Sequence, residues 1–443
     1  MQIKLSDHFN YKKLIRFVLP SIIMMIFTSV YGVVDGLFVS NYVGKTPFAA
    51  LNLIMPLLMM LGALGFMIGT GGNAIVAKTL GEGKTEKANE YFSMLVFVTI
   101  IGGIVISLAG QIFLPSIARL MGAEGAMLEN CIIYGRILLI SLTAFMLQNV
   151  FQSFLVTAEK PKLGLFITIA AGVTNIVLDF LFIAVFQWGL AGAAAATAFS
   201  EAVGGIIPLI YFARKNSSLL RLTKAGFSGR ILARTCINGS SELMSNISMS
   251  LVNMLYNFQL MKIAGENGVA AYGVIMYVNF IFVSIYLGYS IGSASVIGYH
   301  YGAGNREELK NLFCRSLKIV GALGIILTVL AELLASPLTK IFVGYDRELF
   351  ELTCHGFRLY ALAFLINGFN IFGSAFFTAL SNGVVSAVIS FLRTLVFQVS
   401  AVLILPIFLG TNGIWLAIVA AEAMALIVTI TFWIKEKGKY HYI

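Results

Sequence analysis

The chain has 443 residues, of which 59% are hydrophobic and only 11% charged, against roughly a quarter charged in an ordinary soluble domain. That composition excludes a water-soluble globular protein and points to a polytopic membrane protein. The net charge of +10 does not argue for a nucleic-acid partner, because the basic residues fall between apolar runs, where they orient a chain in a bilayer.

Apolar runs fall near 15–41, 48–73, 91–114, 131–156, 163–187, 190–212, 236–261, 269–296, 312–335, 354–379, 384–408 and 412–434. About twenty apolar residues cross a hydrocarbon core of ~30 Å, so the expected fold is all-α with about twelve transmembrane helices. The N-terminus is short and basic (Lys4, Lys12, Lys13, Arg16), but the run after it is too long for a signal-peptide core and is read as retained. The N-terminus, 74–90, 157–163, 213–235, 298–318 and the C-terminus hold 22 of the 30 Lys and Arg residues. By the positive-inside rule both termini and the even-numbered loops are cytoplasmic, and membrane lipid surrounds the rest. Cys131, Cys236, Cys314 and Cys354 are scattered without a CxxC pair, and His8, His300, His355 and His441 lie far apart. Neither a disulfide framework, a zinc site, a resident cofactor nor an enzyme is indicated.

The first run, Phe17 to Gly44, carries one charge, Asp35, and one proline, Pro20. An ionised carboxylate at that depth costs about 2.5 kcal/mol or more unless a proton, cation or donor satisfies it. Pro20 removes a backbone hydrogen bond and gives the helix a place to bend. Later, the stretch 213–235 brings six basic residues and no acid. It reads as a cytoplasmic linker on an anionic leaflet, dividing the chain into a first lobe 1–213, a linker 214–235 and a second lobe 236–443.

The lobes are copies. A shift of 221 places Gly71 on Gly292, Gly81 on Gly302, Glu86 on Glu307, Phe92 on Phe313, Asn149 on Asn370 and Glu201 on Glu422, without a gap. Six helices per copy preserve orientation, so two parallel six-helix bundles about an axis along the membrane normal are expected, with a cleft between them. Residues kept in both copies more naturally serve packing, and Glu201 and Glu422 are read as packing or internal hydrogen-bonding groups. The intramembrane polar set of the first lobe does not recur: Asp35 falls opposite Tyr256, Gln152 opposite Gly373, Asn175 opposite Val396, Asp179 opposite Ser400 and Thr197 opposite Ile418. Asn149 and Gln152 are i,i+3, and Asn175 and Asp179 i,i+4, so each pair shares a helix face. At ~1.5 Å per residue, Asp35 and Asp179 both lie in the outer half of the membrane. Such a set supplies oxygen ligands for Na⁺ or a carboxyl pair that holds a proton.

The six-plus-six repeat, the Asp fifteen residues after the helix-one proline, the NIVLDFLFI stretch and the glycine-rich turn after helix two resemble the MATE (multidrug and toxic compound extrusion) transporters, in a bacterial DinF-like branch. The resemblance spans nearly the whole chain and implies export of organic cations across the plasma (inner) membrane in antiport with H⁺ or Na⁺ by alternating access. It implies a cation or proton site at Asp35, Asn149, Gln152, Asn175, Asp179 and Thr197, with Pro20 as hinge. Gln152 stands where the family has Asn. Other branches carry an essential acid on helix seven, and Glu242 matches it, with a pairing to Arg234 as the structural alternative. Tyr31, Met55, Met59, Tyr256 and Tyr277 offer soft, aromatic surface for a substrate cavity. A monomer is expected. A flippase for a lipid-linked saccharide is the competing transport reading, and a membrane-embedded enzyme or sensor the competing class.

Overall fold

A computed structural model describes residues 3–43 and 45–442. Among them the structure is helical with no strand. The first lobe contains α1 (Tyr11–Tyr42), α2 (Lys45–Gly81), α3 (Thr85–Leu120), α4 (Gly125–Thr157), α5 (Pro161–Asp179), continued by a π turn at Phe180–Val185, and α6 (Gly189–Ala213). Local chemistry sets the starts. The Asn10 side chain accepts from the Lys13 amide at 2.8 Å to cap α1, and Pro161 occupies the first turn of α5, where no amide partner is needed. Helix α1 runs through Pro20 without a break.

The second lobe begins with α7 (Gly229–Gly302), 74 residues long. As one straight rod it would exceed any bilayer several-fold. It is two spans, because Gly265 leaves the helical region at φ 61° and ψ −152°, a conformation open to glycine. The reversal is direct: Tyr272 donates to Asn253 Oδ1 at 2.7 Å, and its ring stacks on Tyr256 with centroids 4.8 Å apart. Gly44, the repeat partner of Gly265, lies outside the described residues. Then come α8 (Arg306–Val343), α9 (Arg347–Ala361) bent by 48° into α10 (Phe364–Ala379), α11 (Gly383–Phe391), a π turn at Leu392–Phe397, α12 (Gln398–Leu409) and α13 (Thr411–Tyr440). Counting α7 as two spans and each interrupted helix as one gives the twelve expected. Ile112, Ile140, Leu333 and Ile407 on the outer faces are 70 to 76% exposed, the surface of a protein whose surroundings are lipid.

The segment 214–228 is irregular, with a bend at 217–219, and α7 starts seven residues before the apolar run that announced it. Rather than hanging free, this linker is strapped to α3. The amides of Arg221 and Thr223 donate to Asn89 Oδ1 and Ser93 Oγ, both at 2.8 Å, and Leu220 is fully buried.

Two symmetry-related contacts bring the lobes together. Gly71 meets the backbone of Gly239, and under the 221 shift this becomes Gly292 meeting Val18. Gly81 lies against Tyr299 and Ala303, and its partner Gly302 lies against Lys78. A Cβ at Gly81 or Gly302 would collide with a backbone carbonyl, so glycine is required by close approach. These contacts cluster toward the end of the molecule that carries both termini. There the N-terminal segment adds a tie: Leu5 and Phe9 are fully buried, and the Leu5 amide donates to Glu159 Oε1 at 2.7 Å in the first lobe. The Phe9 amide donates to Glu308 Oε1 at 2.9 Å, and His8 Nδ1 sits 2.6 Å from Glu308 Oε2, both in the second lobe.

Candidate functional site

Inside the first lobe, α1 and α5 bring the carboxyl groups of Asp35 and Asp179 within hydrogen-bonding reach of each other. Asp179 is fully buried, and it immediately precedes the π turn; such turns recur at functional positions in helices. Among the described residues no donor reaches either oxygen of Asp179 or Oδ1 of Asp35. Two facing carboxylates without a donor cannot both remain ionised in an apolar lobe. The pair needs a proton or a cation.

The remaining residues singled out in the sequence divide between two places. Asn175 lies one turn before Asp179 on α5, buried, with its Oδ1 unpartnered. Thr197 on α6 donates to its own helix, to the Ala193 carbonyl at 3.1 Å. Asn149 and Gln152 are buried and share a face, but that face lines a cavity between the lobes. The amide on the acid side of α4 is Gln148, within hydrogen-bonding reach of the Tyr31 hydroxyl. Glu201, on α6, accepts from Ser141 Oγ at 2.5 Å. It shares the electrostatic environment of Asp35, Tyr31 and Tyr134.

The central cavity has a volume of about 260 Å³ and draws on both lobes: Met25, Asn73, Asn149 and Gln152 from the first, Glu242, Tyr256, Arg393 and Glu422 from the second. Of the five residues expected to form its soft wall, Tyr256 lines it. Tyr31 instead turns into the first lobe, and Met55 Sδ lies 4.0 Å from the Tyr134 hydroxyl. Met59 and Tyr277 are 43% and 39% exposed, Tyr277 stacking on Phe342. Glu242 faces the cavity, within electrostatic reach of Arg393. A pairing with Arg234 does not occur among the described residues.

Arg393 is not free. Its Nε donates to both oxygens of Glu422 at 2.8 and 2.9 Å, and its terminal nitrogen to Asn367 Oδ1 at 2.9 Å. Asn370 Nδ2 adds a bond to Glu422 at 2.7 Å. This network answers what the shared position of Glu201 and Glu422 left open. Each is hydrogen-bonded within its lobe, as read from the repeat, but only Glu422 has a cation.

The MatE family model matches residues 20–181 and 243–403, one copy in each lobe. Two multidrug export proteins MepA, from Staphylococcus saprophyticus and Staphylococcus aureus, are each 22% identical, covering 94% of this chain and 92% of their own length. A MATE transporter solved in complex with MaL6 superposes with a TM-score of 0.93 at 26% identity over 98% of both chains. So does an outward-facing multidrug resistance MATE transporter of the MOP superfamily, with the same score, identity and coverage.

Proposed function

Starting from a chain that belongs to the MatE family of transporters, we infer that it exports small organic cations across the plasma membrane in exchange for H⁺ or Na⁺. The observation that carries this is the facing pair in the first lobe, Asp179 fully buried and Asp35 half-buried, with no donor among the described residues on either oxygen of Asp179 or on Oδ1 of Asp35. A site that must be filled by a monovalent cation, beside a cavity shared by two rigid lobes, is what an antiporter needs. Met25, Tyr256 and Glu242 give that cavity soft, aromatic and acidic surface suited to flat cations. The named relatives, MepA proteins of staphylococci, are described as multidrug exporters.

Exchange proceeds by alternating access. The lobes meet near the termini, which the basic loops assign to the cytoplasm, so this arrangement opens outward. Cation entry at Asp35 and Asp179 bends α1 at Pro20, reshapes the cavity wall at Met25 and releases substrate outside. A lipid-pyrophosphate flippase would need a strongly basic cleft. Instead Arg393 is consumed by Glu422, Arg358 faces Glu332 at 3.9 Å, and Arg136 is exposed.

The test is efflux of ethidium from proteoliposomes under separately imposed Na⁺ and pH gradients. Transport driven by one of them supports the reading and names the ion. Ethidium movement that ignores both gradients overturns it.

A further inference from the structure

The two lobes hold the same acid at the same place and neutralise it differently. In the second lobe Glu422 is fully buried and receives Arg393 and Asn370. Shift that set back by 221 residues, and Glu422 becomes Glu201, Asn370 becomes Asn149, and Arg393 becomes Gly172. The missing guanidinium has a replacement in space: a Cβ on Gly172 would collide with the Phe27 ring and lie 2.9 Å from Tyr31 Cδ1. Helix α1 therefore occupies the room that the arginine takes in the other lobe. It brings Tyr31 and Asp35, and with them no positive charge.

Glu201 is left with Ser141 Oγ as donor. The titratable groups facing it are Tyr31 and Asp35 from α1, Tyr134 from α4 and, beyond them, Asp179 from α5. Among the described residues no lysine, arginine or histidine forms an ion pair with it. Nor do Glu201, Asp35 and Asp179 converge on one point, since no group of three acidic or metal-binding side chains among the described residues could hold a single ion. Asp179, enclosed and without a donor, fixes one position that demands a cation; Glu201 marks another.

We propose that Glu201 is a separate proton-carrying carboxyl of the first lobe, loaded and discharged once per transport cycle in addition to the cation held by Asp35 and Asp179. The proton enters from the outer side onto a carboxylate oxygen of Glu201 and leaves to the cytoplasm, with no other bond made or broken. Ser141 can accept from the protonated acid as readily as it donates to the carboxylate, so both states keep their hydrogen bond. Exchange of a monovalent substrate for two cations moves net charge. The proposal rests on the antiport reading and adds its stoichiometry.

The experiment compares wild type with Glu201→Gln in proteoliposomes. The glutamine retains a polar partner for Ser141, so the fold is expected to survive. Ethidium transport is measured against an imposed pH gradient and against a potassium-diffusion potential. Wild-type transport should respond to both, whereas Glu201→Gln should keep its response to the gradient that loads Asp35 and Asp179, with protons moved per ethidium lowered by about one and the response to potential abolished. An unchanged proton count and potential dependence in Glu201→Gln would overturn the proposal while leaving antiport intact. Loss of gradient-driven transport in wild type would instead overturn antiport itself. Should Glu201→Gln fail to fold, the wild-type cation-to-ethidium ratio from reversal potentials decides: a value near one contradicts the proposal.

Discussion

Arg393 and Glu422 form an ion pair at the wall of the central cavity, the carboxylate fully buried and the guanidinium side chain 15% exposed, with Nε donating to both carboxylate oxygens at 2.8 and 2.9 Å. Removing one partner leaves a buried charge uncompensated, which typically costs 3–5 kcal/mol, about the range expected here, whereas replacing both by apolar groups is often neutral. Arg393→Ala should lower thermal stability in detergent by an amount in that range. The double variant Arg393→Met, Glu422→Leu should recover most of it. Equal losses in single and double variants would show that the pair is not a unit.

Closure at the termini end depends on backbone contact. Gly302 lies against the Lys78 carbonyl region with no room for a Cβ. Gly302→Leu should hold the lobes apart there, abolish transport and make a cysteine placed at Ser295 react rapidly with a soluble maleimide. Ser295 is fully buried and accepts from Asn73 at 3.2 Å in the closed arrangement. Slow labelling in the Gly302→Leu background would argue that the interface re-forms without the glycine.

Glu308 ties the N-terminal segment to the second lobe through Phe9, His8 and Asn311, with its side chain 6% exposed. Glu308→Ala removes three partners at once and leaves the Phe9 amide unsatisfied, at a cost of about 1–3 kcal/mol. Limited proteolysis should then cut within the first ten residues of Glu308→Ala while sparing wild type.

A smaller effect carries a pH signature. Burial pulls the Asp7 carboxyl upward, but Lys13 at 2.8 Å and the Lys4 amide at 3.0 Å outweigh it and hold the group below its ordinary range. A carboxyl lowered in the folded state stabilises above the unfolded value and loses that contribution as pH falls through the folded one. Asp7→Asn should match wild type in acid and be less stable at neutral pH by no more than about 1 kcal/mol, because both side chains are partly exposed, 33% and 29%, and solvent screens the pair. A deficit that grows in acid would contradict this assignment.

Much of this architecture was legible in the sequence. Charge alternation and a constant offset of 221 are one-dimensional signals, and they foretold twelve spans in two six-helix lobes; that equivalent glycines make the contact between the lobes emerged only from the structure. Asp35 and Asp179 stood out in the sequence as lone carboxylates in apolar runs, which hydrocarbon penalises, whereas the glycine that turns the chain between runs 236–261 and 269–296 was not singled out. Helix phase was readable but not its destination. Asn149 and Gln152 do share a face, yet it turns to the cavity, while Gln148, one residue and about 100° round the helix from Asn149, turns toward Tyr31. Glu201 was hidden by the repeat itself, because recurrence in Glu422 suggested packing. The readable clue was the difference one helix away, Gly172 against Arg393. The two π turns have no periodic signature and could not be anticipated.

The central claim is that a cation held by Asp35 and Asp179 drives export. It is tested most directly by ethidium accumulation in inverted proteoliposomes carrying Asp35→Asn, with the driving gradient imposed and ethidium binding measured on the same preparation. The account predicts that ethidium still binds in the cavity between the lobes while gradient-driven accumulation falls to the level of protein-free vesicles. Wild-type accumulation by Asp35→Asn would contradict it.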